Sequence, residues 1–225
     1  MGIFNKFMEG FRSAQVAFDP ATLDDPVALQ TEWTPAHPGG MKMRTHQLVQ
    51  VDPGRMEFRA TTGALLFASM TLMAGIGALG FLLFILSGGQ DADDGLKYIF
   101  GPLIALVLLG FGVALLMSFL KPVVFDQELG AFWKGRTAPD QTFNRLSLEN
   151  YAELKEIHAI QLLSEIVPSK SSFISYELNL ILNDGKRFNV IDHGDKAKII
   201  EDAGTLAAFL DVPVWDVIDF ATPSK

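Results

Sequence analysis

The chain has 225 residues, of which 26 are acidic and 18 are Lys or Arg, giving a net charge of -8 at pH 7. This balance argues against nucleic-acid binding, because counterion release from a phosphate backbone requires a concentrated basic surface. The absence of cysteine excludes disulfides, thiolate metal sites and cysteine nucleophiles.

The first residues of the chain show an apolar and a polar face at helical spacing. The apolar face consists of Ile3, Phe4, Phe7, Met8 and Phe11, and the polar face of Asn5, Lys6, Glu9 and Arg12. We expect residues 1–18 to form an amphipathic helix in a bilayer interface, although a helix docked on protein would show the same pattern. Residues 19–42 are rich in proline and lack periodicity, which predicts an extended segment with Trp33 as a packing anchor.

Residues 43–60 predict the first strand pair of a cytoplasmic domain. Two alternating runs, at residues 43–51 and 55–60, flank the turn signal Asp52-Pro53-Gly54. The second run leads directly into a hydrophobic region.

Two long uncharged stretches follow this strand pair. Residues 60–90 carry no charged side chain, and neither do residues 98–120. A helix needs about 20 apolar residues to cross a hydrocarbon core about 30 Å thick. We therefore predict a transmembrane hairpin over residues 61–120, with spans at about 63–87 and 98–120.

The charges around this hairpin indicate its orientation. The loop of residues 88–95 is acidic and has no Lys or Arg, whereas basic residues flank the outer ends of the pair. These basic residues are Arg55, Arg59, Lys121, Lys134 and Arg136. The positive-inside rule then places both termini in the cytoplasm and the loop outside.

Residues 121–225 should complete the cytoplasmic domain. Strands are predicted at 122–126 and 131–134, followed by a polar loop over 135–150. The apolar positions of 154–167 fit both a strand and a helix, and we favour a strand because its neighbours are strands.

The clearest strand pair surrounds Asn183-Asp184-Gly185. A three-residue loop with Gly185 in the left-handed conformation keeps apolar residues on one face, with Leu180 opposite Phe188. The same register sets Leu178 opposite Val190. A two-residue loop would instead mix apolar and polar residues on that face.

A C-terminal helix is predicted after this strand pair. Asp195 can cap it, and it should end near Asp211. Its apolar stripe consists of Ile199, Ala203, Leu206 and Leu210. Two strands before the hairpin, about five after it and this helix fit a pleckstrin-homology-like (PH-like) β-barrel or sheet domain, with the hairpin inserted between its second and third strands. The predicted fold class is therefore an α+β membrane protein.

Several short motifs outside the spans carry a family resemblance. They are Trp33-Thr34-Pro35, Pro38-Gly39-Gly40, Phe125-Asp126 with Gly130, Phe132-Trp133-Lys134-Gly135, Tyr176-Glu177-Leu178-Asn179-Leu180, Asp192-His193-Gly194-Asp195 and Pro213-Val214-Trp215-Asp216. Through these motifs the chain resembles a family of uncharacterised bacterial two-span inner-membrane proteins with a bacterial PH-like domain. The resemblance implies that fold and a multi-pass location in the bacterial inner (plasma) membrane. It transfers no catalytic residues, because the family has no assigned activity.

His193 and His158 are the residues from which a chemical site could be built. His193 lies between Asp192 and Asp195, and with His158 on a neighbouring strand it could form an acid/base pair or a two-histidine metal site. The stronger interpretation is structural, because Asp-His-Gly-Asp before a helix supplies a turn and an N-cap. We therefore assign no catalytic, cofactor-binding or metal-binding residue, and we expect no cofactor.

Residues close to the spans suggest contact with lipid. The run Phe132-Trp133-Lys134 suits an interfacial aromatic belt, with a partner-binding ridge as the alternative. Lys42, Arg44, Arg55 and Arg59 could contact anionic lipid, although the positive-inside pattern explains them equally well.

Small residues cluster in both spans. They are Ala74, Gly75, Gly77, Ala78 and Gly80 in the first span, and Gly101, Ala105, Gly110, Gly112 and Ala114 in the second. They predict close packing of the two spans against each other, with self-association as the alternative. Neither span contains an Asp, Glu, Lys, Arg or His residue, which disfavours a conducting path.

Three functional hypotheses follow. The leading hypothesis is a non-enzymatic, membrane-anchored interaction or assembly module, whose partners are the lipid bilayer and either another protein or a second copy bound through the spans. A homo-oligomeric channel or transport subunit is the alternative. An enzyme that uses His158 and His193 ranks third.

Overall fold

The computed structural model describes residues 18–84, 87, 95–141, 150–168 and 172–220. The chain divides into two compact units. Residues 59–122 form one of them, here called the helical unit, and the chain on either side of it forms the sheet unit. The amphipathic helix expected over residues 1–18 lies outside the described residues except for Phe18, and so does most of the loop at 88–95.

The described elements are a mixture of helices and strands. The α-helices are α1 (Pro26–Gln30), α2 (Thr62–Phe84), α3 (Gly95–Phe119) and α4 (Lys196–Leu210). The strands are β1 (His46–Asp52), β2 (Arg55–Ala60), β3 (Val123–Asp126), β4 (Ala131–Lys134), β5 (Tyr151–Glu153), β6 (Ile157–Val167), β7 (Phe173–Leu182), β8 (Arg187–His193) and β9 (Val214–Asp216). The predicted α+β class with two long apolar helices is confirmed.

The helical unit consists of α2 and α3, close to the two predicted spans. Both helices are long and apolar enough to cross a membrane. They pack against each other around Ala64 and Ala68 of α2 and Phe119 of α3, which are buried. Small side chains at this contact allow the two backbones to approach closely.

The sheet unit contains two sheets. The first has the strand order β1-β2-β3-β4-β5 and the second β8-β7-β6-β9, with β9 parallel to β6. Among the described residues no ladder joins these sheets, so the closed barrel that we predicted as one form of the domain is wrong. A 3-10 turn at Leu154–Glu156, closed by a capping box between Glu153 and Glu156, separates β5 from β6 and moves the chain from one sheet to the other.

The core of the sheet unit lies between the inner faces of the two sheets. Phe58, Phe125 and Phe132 of the first sheet are fully buried in one cluster with Leu178 and Leu180 of the second. The predicted stripe of α4 joins the same cluster through Ile199, Ala203 and Leu206. As predicted, Asp195 caps α4, accepting from the backbone N–H of Lys198 at 3.1 Å, and the helix ends at Leu210 with Asp211 as its C-cap.

Most predicted strands are present, with instructive differences. Residues 157–167 are a strand as predicted, but 154–156 form the 3-10 turn described above. Two strands were not predicted: β5, which directly follows the predicted polar loop at 135–150, and β9 near the C-terminus. Both are three residues long, too short for alternation to be detected.

The register of the β7–β8 hairpin was half correct. Leu180 pairs with Phe188 as predicted, and Gly185 has a φ of 79°. Leu178, however, pairs with Ile191 rather than Val190, because the register shifts between Leu178 and Asn179. A β-bulge of this kind adds one residue to one strand and leaves no simple mark in the alternation pattern.

Candidate functional site

The outer face of the second sheet is covered by the chain that precedes β1. Along β7, Leu178 and Leu180 point into the core, so Glu177, Asn179 and Ile181 point to the opposite, outer face. Residues 18–42 lie over this outer face. The part of this segment around Trp33 makes mainly apolar contacts with the sheet, whereas residues 34–42 make mainly polar ones.

One end of this cover is apolar and centred on Trp33. The Trp33 ring centroid lies 4.4 Å from that of Phe18 and 5.7 Å from that of Trp215, and it shares a buried cluster with Leu163 and Ile181. The Trp33 Nε1–H donates to the backbone carbonyl of Ala28, within α1, at 2.9 Å. Trp33 is therefore the packing anchor that the sequence predicted.

The other end, residues 34–42, has no regular secondary structure and is here called the strap. The Glu177 carboxylate accepts the backbone N–H of Ala36 at 2.9 and 3.1 Å. The Glu165 carboxylate accepts the N–H of Gly39 at 3.0 and 3.1 Å. Gly39 has a φ of 94°, a conformation that favours glycine. Side chains of β6 and β7 thus hold the strap by its backbone.

Asp192 lies beneath the strap. A Cβ added to Gly40 would lie 3.5 Å from the Asp192 Cβ and 2.8 Å from the Ser175 Cβ, so the strap backbone rests directly on this part of the sheet. Burial, followed by the nearby negative charge of Glu177, raises the Asp192 pKa to about 7. The side chain of Asn189, which donates to Asp192 Oδ1 at 2.8 Å, opposes this rise in pKa.

A polar network links Trp33's neighbours to the strap. The Arg187 guanidinium donates to the Thr34 carbonyl at 2.6 Å and to the Glu32 carboxylate at 3.2 Å. Gln161 and Asn179, both fully buried, hydrogen-bond each other at 3.2 Å. Burial lowers the Arg187 pKa. A surface cleft of about 440 Å³ opens beside Arg187, and the chain's own Glu32 already engages the guanidinium there.

The two histidines singled out in the sequence lie on opposite faces of the second sheet. His158 is on the outer face, where its Nε2 is 2.7 Å from Asp25 Oδ2 and its ring packs against Trp215. His193 faces inward, opposite Tyr176, and is 1% exposed. They therefore form no common site, and the described residues contain no group of three or more metal-ligating side chains.

His193 serves the turn before α4. Its Nδ1 accepts the backbone N–H of Asp195 at 3.2 Å, which leaves the ring proton on Nε2. Burial, with Arg44 as the second cause, lowers the His193 pKa to about 4. The structural interpretation of Asp-His-Gly-Asp is thus the one its geometry supports.

No protein-family model matches the chain, and no curated protein matches it either. The candidate site is therefore defined by its geometry. That site is the strap and the face beneath it, where Pro38-Gly39-Gly40, Glu177 and Asp192 meet from three distant parts of the chain.

Sequence reasoning did not identify Glu165, Glu177 and Asp192 as one group. Polar residues at alternate positions of a strand normally indicate a solvent-facing side. Here that side is covered by the strap, which carries no periodic signal of its own. The Pro-Gly-Gly composition of the strap was the available clue, since it favours an irregular backbone that needs partners for its N–H groups.

The predicted aromatic belt at Phe132 and Trp133 is wrong, and so is the alternative of a partner-binding ridge. Phe132 is fully buried in the core, and Trp133 is 1% exposed in a cluster with Val124 and Tyr151. The reason is that β4 is paired on both edges and covered on both faces. Arg55, whose guanidinium lies 5.5 Å from the Trp133 ring centroid, adds a cation–π contact.

The glycines of the two long helices divide into two groups. A Cβ on Gly75 would lie 2.7 Å from the Leu109 backbone nitrogen, and one on Gly112 would lie 2.8 Å from the Leu72 Cα. These two glycines permit the close packing that was predicted. Gly77, Gly80 and Gly110 would meet nothing within 4 Å, so they point away from the partner helix.

Proposed function

We propose that this protein is a non-enzymatic interaction or assembly module anchored in the bacterial inner membrane. The observation that carries the proposal is the insertion of two apolar helices between neighbouring strands. The strand β2 ends at Ala60, just before α2, and β3 begins shortly after α3. Because Phe58 pairs with Val123, the chain leaves and re-enters the sheet unit at adjacent positions. A membrane hairpin there would tether a folded domain by two short links.

The side chains of the helices suit a lipid environment. Met70, Met73 and Phe81 of α2 and Leu106 and Met117 of α3 are each more than half exposed. Burying such surface in a hydrocarbon core is strongly favourable, whereas exposing it to water is not. The bilayer is therefore the first partner that we propose.

The sheet unit is proposed to be a PH-like domain that lies in the cytoplasm together with both termini. Support for the fold comes from the order of its strands: β1 to β4 are consecutive in one sheet, β6 to β8 in the other, and α4 follows. On this proposal β5 and β9 are additions. Support for the orientation comes from the basic residues at the outer ends of the hairpin and the acidic loop between the helices.

Orientation can be tested directly because the natural chain has no cysteine. Single cysteines would be introduced as Gln90→Cys and Ser224→Cys, and intact cells would be treated with a membrane-impermeant maleimide. We expect labelling at residue 90 in intact cells and at residue 224 only after the membrane is broken. Labelling of residue 224 in intact cells would overturn the cytoplasmic placement.

The module itself is tested by purifying tagged protein from its own membrane into native nanodiscs and weighing everything that stays bound. A second two-span protein with the same tag is the control. A partner held at a fixed ratio only by this protein would support the proposal. A lone monomer in repeated preparations would contradict it.

A homo-oligomeric channel or transport subunit is the second candidate. The observation that favours it is the set of outward-pointing glycines, Gly77, Gly80 and Gly110, which could admit a second copy at close range. In the same nanodisc experiment this candidate would give a defined multiple of the chain mass and no foreign protein.

A further inference from the structure

The two ends of the cover on the second sheet rest on different kinds of surface. Under Trp33 the sheet presents Leu163 and Ile181, which are fully buried. Under the strap it presents Glu165, Glu177 and Asp192. Exposing the apolar patch to water would be costly, whereas carboxylates are well solvated when uncovered. The strap is therefore the end of the cover that can lift at low cost.

The strap itself is held by hydrogen bonds to its backbone. Its middle, at His37, Pro38 and Gly39, is exposed, and the N–H groups of this part of the strap donate to the carboxylates of Glu165 and Glu177. Near its ends, the Arg187 guanidinium donates to the Thr34 carbonyl and the Ser175 hydroxyl to the Met41 carbonyl. Both ends of the strap are fixed, by Trp33 at one side and by the bond from the Gly194 N–H to the Lys42 carbonyl at 3.2 Å on the other. Opening would thus be local and would leave the two sheets intact.

The opening of the strap is coupled to the protonation state of Asp192. It lies under Gly40, with the carboxylates of Glu177 on β7 and Glu165 on β6 and the ammonium of Lys134 on β4 acting on it electrostatically. On its own strand, Asn189 donates to it. A neutral Asp192 fits this covered position beside two carboxylates. An ionised Asp192 adds a third negative charge there, which is relieved when water reaches it.

We propose that residues 34–42 form a proton-controlled strap, which is closed while Asp192 carries a proton and opens when Asp192 loses it. Opening uncovers three carboxylates on one sheet face. The physiological range of pH would then control whether this acidic surface is accessible.

The size of the effect follows from linkage. In the closed state the Asp192 pKa is raised to about 7, and in the open state it returns toward its ordinary value of 3.8. The ratio of open to closed strap should therefore rise roughly tenfold per pH unit between these two values and level off above about pH 7.

Hydrogen–deuterium exchange of the full chain in nanodiscs tests the proposal. Exchange of the strap amides, corrected for the intrinsic effect of pH on exchange, would be followed from about pH 5 to about pH 8. We expect strap protection to fall roughly tenfold per pH unit up to about pH 7, while the amides of β7 stay protected. Asp192→Asn should abolish this pH dependence, because it cannot ionise.

Two further variants test whether Asp192 is the group that controls the strap. Asn189→Ala removes the bond that favours the ionised form of Asp192, so the transition should move to higher pH. His37→Ala removes the exposed imidazole of the strap and should leave the transition unchanged.

Strap exchange that is independent of pH in the wild type would overturn the proposal, as would a pH dependence that persists in Asp192→Asn. Exchange that changes equally in β7 would also overturn it, because the opening would then be global. Strap opening is measured in purified protein without any partner, so a negative result would leave the proposed membrane-anchored role untouched. A lone monomer in the binding experiment would likewise leave the proposed opening of the strap untouched.

Discussion

The Glu177 carboxylate accepts the backbone N–H of Ala36 with both oxygens, at 2.9 and 3.1 Å, across 141 residues of sequence. Glu177 is 3% exposed on β7, so this bond to a charged acceptor is shielded from water. Such bonds contribute more than neutral ones. This contact fastens a proline-rich and glycine-rich segment to a sheet.

Replacing Glu177 by alanine should release the strap even at low pH. Without the carboxylate the Ala36 N–H loses its acceptor, at a cost of about 1–3 kcal/mol. At about pH 5, where Asp192 is protonated, strap exchange should speed up by at least roughly tenfold while β7 remains protected. Glu201→Ala, which removes an exposed carboxylate on α4 that pairs with Lys198, is the matched control. Equal exchange in the two variants would show that Glu177 does not hold the strap.

Asp192 should make the sheet unit less stable as pH rises. Its folded-state pKa is raised to about 7 from 3.8, so between these values the folded form holds a proton that the unfolded form lacks. Its stabilising contribution is therefore complete below pH 3.8 and is lost as pH rises through 7, by up to about 1.4 kcal/mol per pH unit. In Asp192→Asn this contribution should be absent, so the free energy of unfolding of the variant should rise relative to that of the wild type between pH 3.8 and about 7.

The three tryptophans offer a direct readout for this comparison. Trp33, Trp133 and Trp215 all lie in the sheet unit, so fluorescence during urea unfolding reports that unit alone. Asp219→Asn, at an exposed carboxylate paired with Lys196, is the control and should keep the wild-type pH profile. Identical profiles for the wild type and Asp192→Asn would contradict the assignment.

His193 should make the sheet unit more stable as pH rises, opposite to the effect of Asp192. Burial lowers its folded-state pKa to about 4 from 6.5, so in this window the unfolded form binds a proton that the folded form does not. Its contribution to stability is present above pH 6.5 and is lost as pH falls toward 4, again by up to about 1.4 kcal/mol per pH unit. Adjacent residues thus contribute opposing slopes, and their two contributions should largely cancel between about pH 4 and 6.5.

The variant His193→Asn removes one of these slopes. Asparagine can place an acceptor near the position of Nδ1, which keeps the bond from the Asp195 N–H. The free energy of unfolding of this variant should fall more steeply with rising pH than that of the wild type from about pH 4 to 6.5, because His193 no longer offsets Asp192. A slope in His193→Asn equal to that of the wild type would show that the histidine does not balance Asp192.

Gly75 and Gly77 of α2 should respond oppositely to alanine. Alanine is the better helix former by about 1 kcal/mol, and at Gly77 its Cβ meets nothing within 4 Å. At Gly75 the Cβ would lie 2.7 Å from the Leu109 backbone nitrogen, so α3 must shift, at a cost of about 1–3 kcal/mol. Dodecyl sulfate unfolding followed by circular dichroism should therefore show Gly77→Ala equal to or above the wild type and Gly75→Ala below it. The reverse order would contradict this packing.

For the two long helices, the sequence predicted position and close packing but not relative rotation. Uncharged length alone located both helices, because an apolar run of about 20 residues is long enough to be recognised without any periodic pattern. Small residues predicted close packing, but only the relative rotation of the helices decides that Gly75 is enclosed and Gly77 is not. Rotation depends on side-chain fit between two elements, which no single-helix pattern contains.

In the sheet unit, too, the sequence pattern predicted elements but not how they pack. Alternation located β7 and β8, yet it could not foresee the bulge that brings Ile191 opposite Leu178. Trp133 looked like an exposed aromatic beside a span, and its burial depends on pairing with β3 and β5. The sequence did not predict that Asp192 lies opposite Glu177, because this pairing depends on the register between β7 and β8.

The outward glycine Gly110 separates the two proposed functions. Its Cβ would meet nothing within 4 Å in the same chain, so Gly110→Leu should leave the packing of α2 and α3 intact. If the protein is a tethered module without self-association through this face, its mass in detergent by light scattering should be unchanged. If a second copy packs there, leucine would push the backbones apart and lower the mass to that of a smaller assembly. Gly77→Leu applies the same test to the outward face of α2, and unfolding in dodecyl sulfate shows that each variant keeps its hairpin. A loss of mass in either variant would favour the oligomeric candidate over the module.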